Sequence, residues 1–183
     1  MIELFAHHPG VTVPTPTIEH VLAGARDRGL RFLTYSDLAT APPGPGILLS
    51  FDDKWVDAWF SLRSLFAQYN ARVTFFIAYY PDYTASQREE LQQLAADGHD
   101  IEAHSIAHRR APEYVEARGL RAYLDEDVLP SIDLLQRDGY PITTFAYPFG
   151  SRTAETDRAI LEHVAYIRSV AFTWSGVADP CPY

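Results

Sequence analysis

The chain has 183 residues, 47% hydrophobic, 13% aromatic and 21% charged, the make-up of a folded globular protein with length for one substantial core. Fifteen Lys and Arg stand against 24 Asp and Glu, a formal charge of -9, so the average field repels phosphate backbones and anionic lipid and argues against nucleic acid as a partner. The single cysteine, Cys181, allows no internal disulfide, and no run of 18 apolar residues is present to act as a membrane segment.

Ile2 to Ala6 reads as a short buried strand that runs into a turn at His7, His8, Pro9 and Gly10. This start has neither a basic leader nor a long apolar run, so if the protein is exported its signal is not in this chain. Thr17 to Arg28 carries Ile18, Val21, Leu22 and Ala25 at helical spacing, with Gly29 as C-cap, and a strand at Leu30 to Thr34 should follow. The loop Ala41-Pro-Pro-Gly-Pro-Gly46 has too few backbone donors for regular structure. Ile47 to Phe51 and Val73 to Ile77 are apolar enough to be strands covered on both faces, with helical periodicity between them over Trp55 to Tyr69.

The alternation continues with a helix at Ser86 to Asp97, a strand at Asp100 to Ala103, a helix within Glu116 to Asp138 and a strand at Thr143 to Ala146. A helix at Thr153 to His163 and a strand at Tyr166 to Ala171 complete it. Such a repeat predicts an α/β fold with a mainly parallel sheet, open or closed into a barrel, whose chemistry gathers at the C-terminal ends of the strands.

Asp52 and Asp53 stand at the mouth of the strand Ile47 to Phe51. A strand end lets both carboxylates face one cleft with different neighbours, one on a metal and the other free as a base; an Asp pair there equally suits capping the next helix. His104 and His108, in H-S-I-A-H after the strand Asp100 to Ala103, fall on one side if a helical turn begins there. Two imidazoles and one carboxylate are a common ligand set for catalytic zinc, and iron, cobalt or nickel suit it as well. Thr144-Phe-Ala-Tyr-Pro-Phe-Gly150 ends another strand with aromatics and, by itself, is an ordinary turn.

Taken in order, S-F-D-D, H-S-x-x-H and F-A-Y-P-F-G resemble the first three motifs of the polysaccharide deacetylase family, carbohydrate esterase family four. The resemblance spans about Leu33 to Ala171 and implies a distorted (β/α) barrel with fewer than eight strands. It implies Asp52 as the general base for the attacking water, Asp53, His104 and His108 as ligands of a divalent metal, zinc first, and Ser105 as support of the histidine loop. The Phe149 N-H would help hold the oxyanion, with Tyr147 and Pro148 shaping the groove, and Tyr79, Tyr80, Tyr83, Tyr147 and Phe149 would form an aromatic rim for sugar faces. The implied substrate is an acetylated polysaccharide or oligosaccharide, and the implied location is exported or at the cell envelope.

Three departures stand out. Lys54 replaces the usual glycine after the aspartate pair and would lower the aspartates' pKa values if it pointed inward. Ala146 stands where many members have an arginine that orients the catalytic aspartate, although a similar branch also reads F-A-Y-P, so Asp52 must be oriented from elsewhere. The tryptophan-bearing wall and the leucine-histidine pair that supplies the general acid are not recognisable before Tyr183. Trp174 reads as core or groove lining and His163 as a helix residue, whereas His7 or His8, at a strand end, is better placed for a substrate or acid role.

The ending Asp179-Pro-Cys-Pro-Tyr183 looks like a loop, and residues 1–183 are expected to form one catalytic domain, which is incomplete, slow or dependent on a further C-terminal segment if none of its histidines supplies the acid. The rival readings are a carbohydrate-binding domain of the same fold without turnover, a receiver-like domain using the aspartates for magnesium, and a hydrolase of another non-peptide C-N bond.

Overall fold

A computed structural model describes residues 1–40 and 44–170. Its organising strand is β3 (Gly46–Asp53), buried over almost its whole length because both edges and both faces are covered. β1 (Ile2–Ala6) pairs along one edge, Ile2 opposite Ile47 and Ala6 opposite Phe51. β2 (Arg31–Leu33) pairs with residues 46–48, and β4 (Thr74–Ile77) with residues 50–53. The sheet continues through β5 (Asp100–Ala103), β6 (Thr144–Ala146) and β7 (Tyr166–Arg168), in the order β1-β3-β4-β5-β6-β7.

Every pairing is parallel, so the C-terminal ends of the strands lie on one rim. The seven strands and their helices form a distorted (β/α) barrel, as the resemblance implied. β5 and β6 share one residue pair, Ala103 with Phe145. Glu102 reinforces this junction: its carboxylate accepts the N-H groups of Thr143 and Thr144, both at 2.9 Å, and the Thr143 hydroxyl at 2.5 Å.

The helices follow the sequence signals, with boundaries set by capping. α1 (Thr15–Asp27) starts two residues before the expected Thr17 because Pro14 at the N-cap and Pro16 in the first turn fit a helix start. α2 (Tyr35–Thr40), which the apolar pattern did not announce, follows β2. The helix expected over Trp55 to Tyr69 divides into α3 (Val56–Phe60) and α4 (Arg63–Gln68), with a tighter turn where the Leu62 N-H donates to Trp59 O at 3.0 Å.

A Thr84 and Gln87 capping box opens α5 (Ala85–Ala96). The stretch Glu116 to Asp138, expected to hold one helix, takes in the end of α6 (Ala111–Arg118), which starts before it, and holds α7 (Leu120–Tyr123), a π-helical turn at Leu124–Val128 and α8 (Leu129–Arg137). α9 (Ala154–Ile160) ends before His163, which therefore lies outside the helix expected to contain it. Phe51, Phe66, Phe75 and Trp59 pack between the sheet and its helices, Trp59 stacked on Phe75 at 5.2 Å. No helix of the described residues is long and apolar enough to cross a membrane. Trp174, Cys181 and the ending Asp179–Tyr183 lie outside the described residues.

Candidate metal centre

The rim carries the polar residues singled out above, and most of them stand on unusual backbone. Asp53 (φ 88°), Tyr79 (φ 55°), Ser105 (φ 70°), His108 (φ 53°) and Phe149 (φ 58°) are five of the six non-glycine residues in the left-handed region among the described residues. The chain thus breaks its regular path where β3, β4, β5 and β6 reach the rim, a conformation that costs about 1 to 3 kcal/mol per residue and persists only where neighbours enforce it. At Asp53 the turn ends the side-chain alternation of β3, while the Asp53 carbonyl still accepts Ala78 N-H at 2.8 Å.

Three donors converge there. Asp53 Oδ1 lies 3.1 Å from His108 Nε2 and 3.6 Å from His104 Nε2, and the two Nε2 atoms are 3.2 Å apart. All three atoms fall within 4.8 Å of one another. His104 is buried, and its Nδ1 lies 2.8 Å from Ala146 O. An N-H there donates to that carbonyl, so Nε2 is left bare and aimed at the cluster. Asp53 Oδ1 is buried with no hydrogen-bond partner among the described residues. Burial alone would raise the Asp53 carboxyl, but the two imidazoles beside it hold it well below the usual carboxylate range. An orphaned carboxylate oxygen against two inward-facing ring nitrogens fits a divalent cation.

The histidine loop is not helical, contrary to the simplest account of the four-residue spacing. Left-handed turns at Ser105 and His108 bring the rings together instead. Ser105 acts as expected, its hydroxyl accepting the His108 N-H at 2.9 Å. Asp127, buried in the π-helical turn, holds the middle of the loop: its carboxylate accepts Ala107 N-H at 2.7 Å and its carbonyl accepts Ile106 N-H at 3.0 Å. Asp127 was not singled out in the sequence; an acidic residue within an otherwise helical stretch gives no hint that it faces another loop.

Asp52 takes a different partner from Asp53. Its carboxylate forms a buried ion pair with Arg168 of β7, both side chains being 3% exposed. The Arg168 guanidinium lies over the rings of Phe76, at 4.7 Å, and Phe5, at 5.3 Å. Arg168 is the register partner of Ala146, so an arginine one strand over stands level with the position where the arginine was missing. The signal available in the sequence was one cation in the otherwise apolar strand Tyr166-Ile-Arg168. Neither aspartate caps α3, whose N-cap is Trp55 without a side-chain hydrogen bond.

Lys54 does not point at the aspartates; its Nζ lies over the Tyr79 ring at 5.0 Å. Phe149 is 45% exposed, its ring edge-on to His108 at 4.6 Å. The adjoining Gly150 has φ 63°, and a Cβ on it would come within 2.7 Å of Val170 N, so the turn at Phe149 is pressed against the chain after β7. Tyr147 and Pro148 are buried, the Tyr147 ring packing on Phe145. The expected aromatic rim is correspondingly narrower: Tyr80, Tyr83 and Tyr147 turn into the core, leaving Tyr79 and Phe149 beside His108. His7 and His8 stay outside the three-donor cluster; the His7 carbonyl accepts the Trp59 indole N-H at 2.9 Å, and His8 packs on Trp55.

A comparison by sequence with curated proteins found no match. Among solved structures, the chain is similar to the Streptococcus pyogenes deacetylase PplD in complex with acetate, with 17% identity and a TM-score of 0.71 over 88% of this chain and 79% of that one. It is similar to IcaB from Ammonifex degensii at 19% identity and TM-score 0.71, over 88% and 78% of the two chains. The chitin deacetylase from the fungal pathogen Colletotrichum lindemuthianum is more distant, at 18% identity and TM-score 0.52 over 66% and 54%. At these identities the likenesses speak for the fold. The family model for polysaccharide deacetylase matches residues 39–166, more than half of the chain, which includes both aspartates, both histidines and the Tyr147–Gly150 turn and stops two residues short of Arg168. The chain belongs to the polysaccharide deacetylase family and is a deacetylase of the hydrolase class.

Proposed function

We propose that this chain is a metal-dependent hydrolase that removes N-acetyl or O-acetyl groups from a polysaccharide or oligosaccharide, with Asp53, His104 and His108 holding zinc. The observation that carries the reading is the meeting of Asp53 Oδ1 and two Nε2 atoms within 4.8 Å, from strand ends far apart in sequence. A divalent cation held there would polarise the acetyl carbonyl and make an adjacent water more acidic.

The protein's own residues account for the rest of the attack. Asp52, fixed by Arg168, takes a proton from the water as its oxygen bonds to the acetyl carbon. The Phe149 N-H, on its left-handed turn, would serve as a donor to the developing oxyanion. Collapse breaks the C-N bond, or the C-O bond of an ester, and the proton that Asp52 took from the water passes to the departing nitrogen or oxygen, giving acetate and a free amino sugar or alcohol. The side chains of Tyr147 and Pro148 support this turn from below, and residues 1–183 act as one catalytic domain.

Purified protein should retain close to one equivalent of zinc by metal analysis and lose it when His104 and His108 are both changed to Gln. Wild type should release acetate from N-acetylated oligosaccharides, and Asp52→Asn should not. Zinc uptake without Asp52-dependent acetate release would favour the binding-domain reading, and failure to take up divalent ions would end the proposal.

A further inference from the structure

Beneath the rim, four buried side-chain oxygens have no hydrogen-bond partner among the described residues: Tyr123 Oη, Asp127 Oδ2, Tyr147 Oη and Asp157 Oδ1. None of these four residues is more than 7% exposed. Each acid already fixes one loop with its other oxygen. Asp127 Oδ1 accepts Ala107 N-H at 2.7 Å inside the histidine loop, and Asp157 Oδ2 pairs with Arg152, two residues beyond Gly150 at the exit of the Phe149 turn. One spare carboxylate oxygen thus stands at the root of the loop that carries His108 and another at the root of the turn that carries Phe149.

The two tyrosines lie between these acids. Tyr123 immediately precedes the π-helical turn that holds Asp127, and Tyr147 opens the Phe149 turn. Burial pushes both phenols far above the usual tyrosine range; the Asp127 carboxylate adds to this at Tyr123, and at Tyr147, against a pull from Thr156, so do Asp157 and Tyr123. The neighbours therefore run Asp127, Tyr123, Tyr147, Asp157, and both phenols keep their protons. Two O-H donors and two carboxylate acceptors match in number and in kind. Left dry, each would carry the desolvation penalty that native interiors avoid, whereas ordered water set among them satisfies all four.

We infer that the Tyr123 and Tyr147 hydroxyls join Asp127 to Asp157 through ordered water in one hydrogen-bonded network, which ties the histidine loop to the Phe149 turn and sets the two relative to each other. The tyrosines are positioning residues, acting through Asp127 on His108 and through Asp157 on Phe149. What the network positions rests on the deacetylase reading, in which the loop holds the metal and the turn holds the oxyanion donor; the network itself does not.

A change from tyrosine to phenylalanine removes one oxygen and keeps the ring. Loss of an idle buried hydroxyl leaves a protein as stable as before or more so, whereas a bridging one is missed. The test is a cycle of Tyr123→Phe, Tyr147→Phe and the double variant. Tyr140→Phe, which removes another partnerless buried hydroxyl, before β6 and outside the network, is the control. In thermal unfolding of the metal-free proteins each single variant should lie about 2 to 4 °C below wild type, and the double variant should fall by less than the sum of the two. By chelator competition, zinc affinity should drop about tenfold in each single variant and by about the same factor in the double, because a network cut once is already cut; Tyr140→Phe should bind zinc as wild type does.

Metal-free single variants at or above wild type in stability, zinc affinity unchanged in either one, or two losses that multiply in the double variant would each overturn the network. If wild type itself takes up no zinc, the deacetylase reading fails, while the metal-free unfolding cycle still decides whether the two hydroxyls act together.

Discussion

Replacing Arg168 by Met tests whether the buried pair with Asp52 fixes the base or merely fills space. Both side chains are 3% exposed, so the Asp52 carboxylate left behind has little bulk water to compensate for the lost cation. At an effective dielectric of about 20 a pair at 4 Å is worth about 4 kcal/mol, and stranding one member of a buried pair costs about 3 to 5 kcal/mol. For a chain of this size that is a fall in Tm of about 10 °C. Urea unfolding of wild type, Arg168→Met, Asp52→Asn and the double variant forms a closed cycle. Each single variant should be destabilised, and the double variant should be more stable than Arg168→Met because no uncompensated carboxylate remains. On acetylated oligosaccharide, Arg168→Met should lower kcat by about a hundredfold with little change in KM, since Arg168 holds the base and not the sugar. An Arg168→Met protein as stable as wild type, or a double variant no better than the single one, would refute this account of the pair.

Asp127→Ala should weaken zinc binding about ten- to hundredfold by chelator competition, because the Ala107 N-H in the middle of the histidine loop loses its carboxylate acceptor, whereas Asp127→Asn, which keeps an acceptor oxygen, should bind zinc more tightly than Asp127→Ala; equal affinities in all three proteins would contradict it. The pH dependence of thermal unfolding should have two limbs. Burial lowers His99, whose Nδ1 accepts Val73 N-H at 3.1 Å, from 6.5 to about 4, so its contribution is complete above pH 6.5 and is lost as pH falls through 4. Burial raises Glu102 from 4.5 to about 8 against the pull of its three donors, so its contribution is complete below pH 4.5 and is lost as pH rises through 8. Each limb is worth at most about 3 to 5 kcal/mol, and Glu102→Gln should flatten the alkaline limb alone. An alkaline limb that persists in Glu102→Gln would assign it elsewhere.

The central strands were legible because a strand covered on both faces is mostly apolar, as Ile47 to Phe51 and Val73 to Ile77 are. The three donors were legible as residue types on strand ends, but the way they meet was not: the spacing of His104 and His108 suggested a helical turn, whereas left-handed backbone at Ser105 and His108 joins them. Arg168 was legible only as a cation in an apolar strand; its role was not, because register decides that role, and register between β6 and β7 depends on pairing across sequence, not on local pattern. The same holds for Asp127, whose function lies in two backbone N-H groups some twenty positions away. Tyr80, Tyr83 and Tyr147 misled in the opposite direction, since tyrosine suits a sugar platform and a core equally well and only packing separates the two.

The left-handed residues on the rim place stability and function in opposition. Ser105 and Phe149 sit in a region of backbone space that glycine enters freely, so glycine there would relax the fold while removing, in one case, the hydroxyl that steadies His108 and, in the other, the ring against it. Selection for heat resistance alone would therefore drift toward a sturdier barrel with a looser mouth, and a thermostable descendant of this chain is best sought among changes on the far side of the sheet.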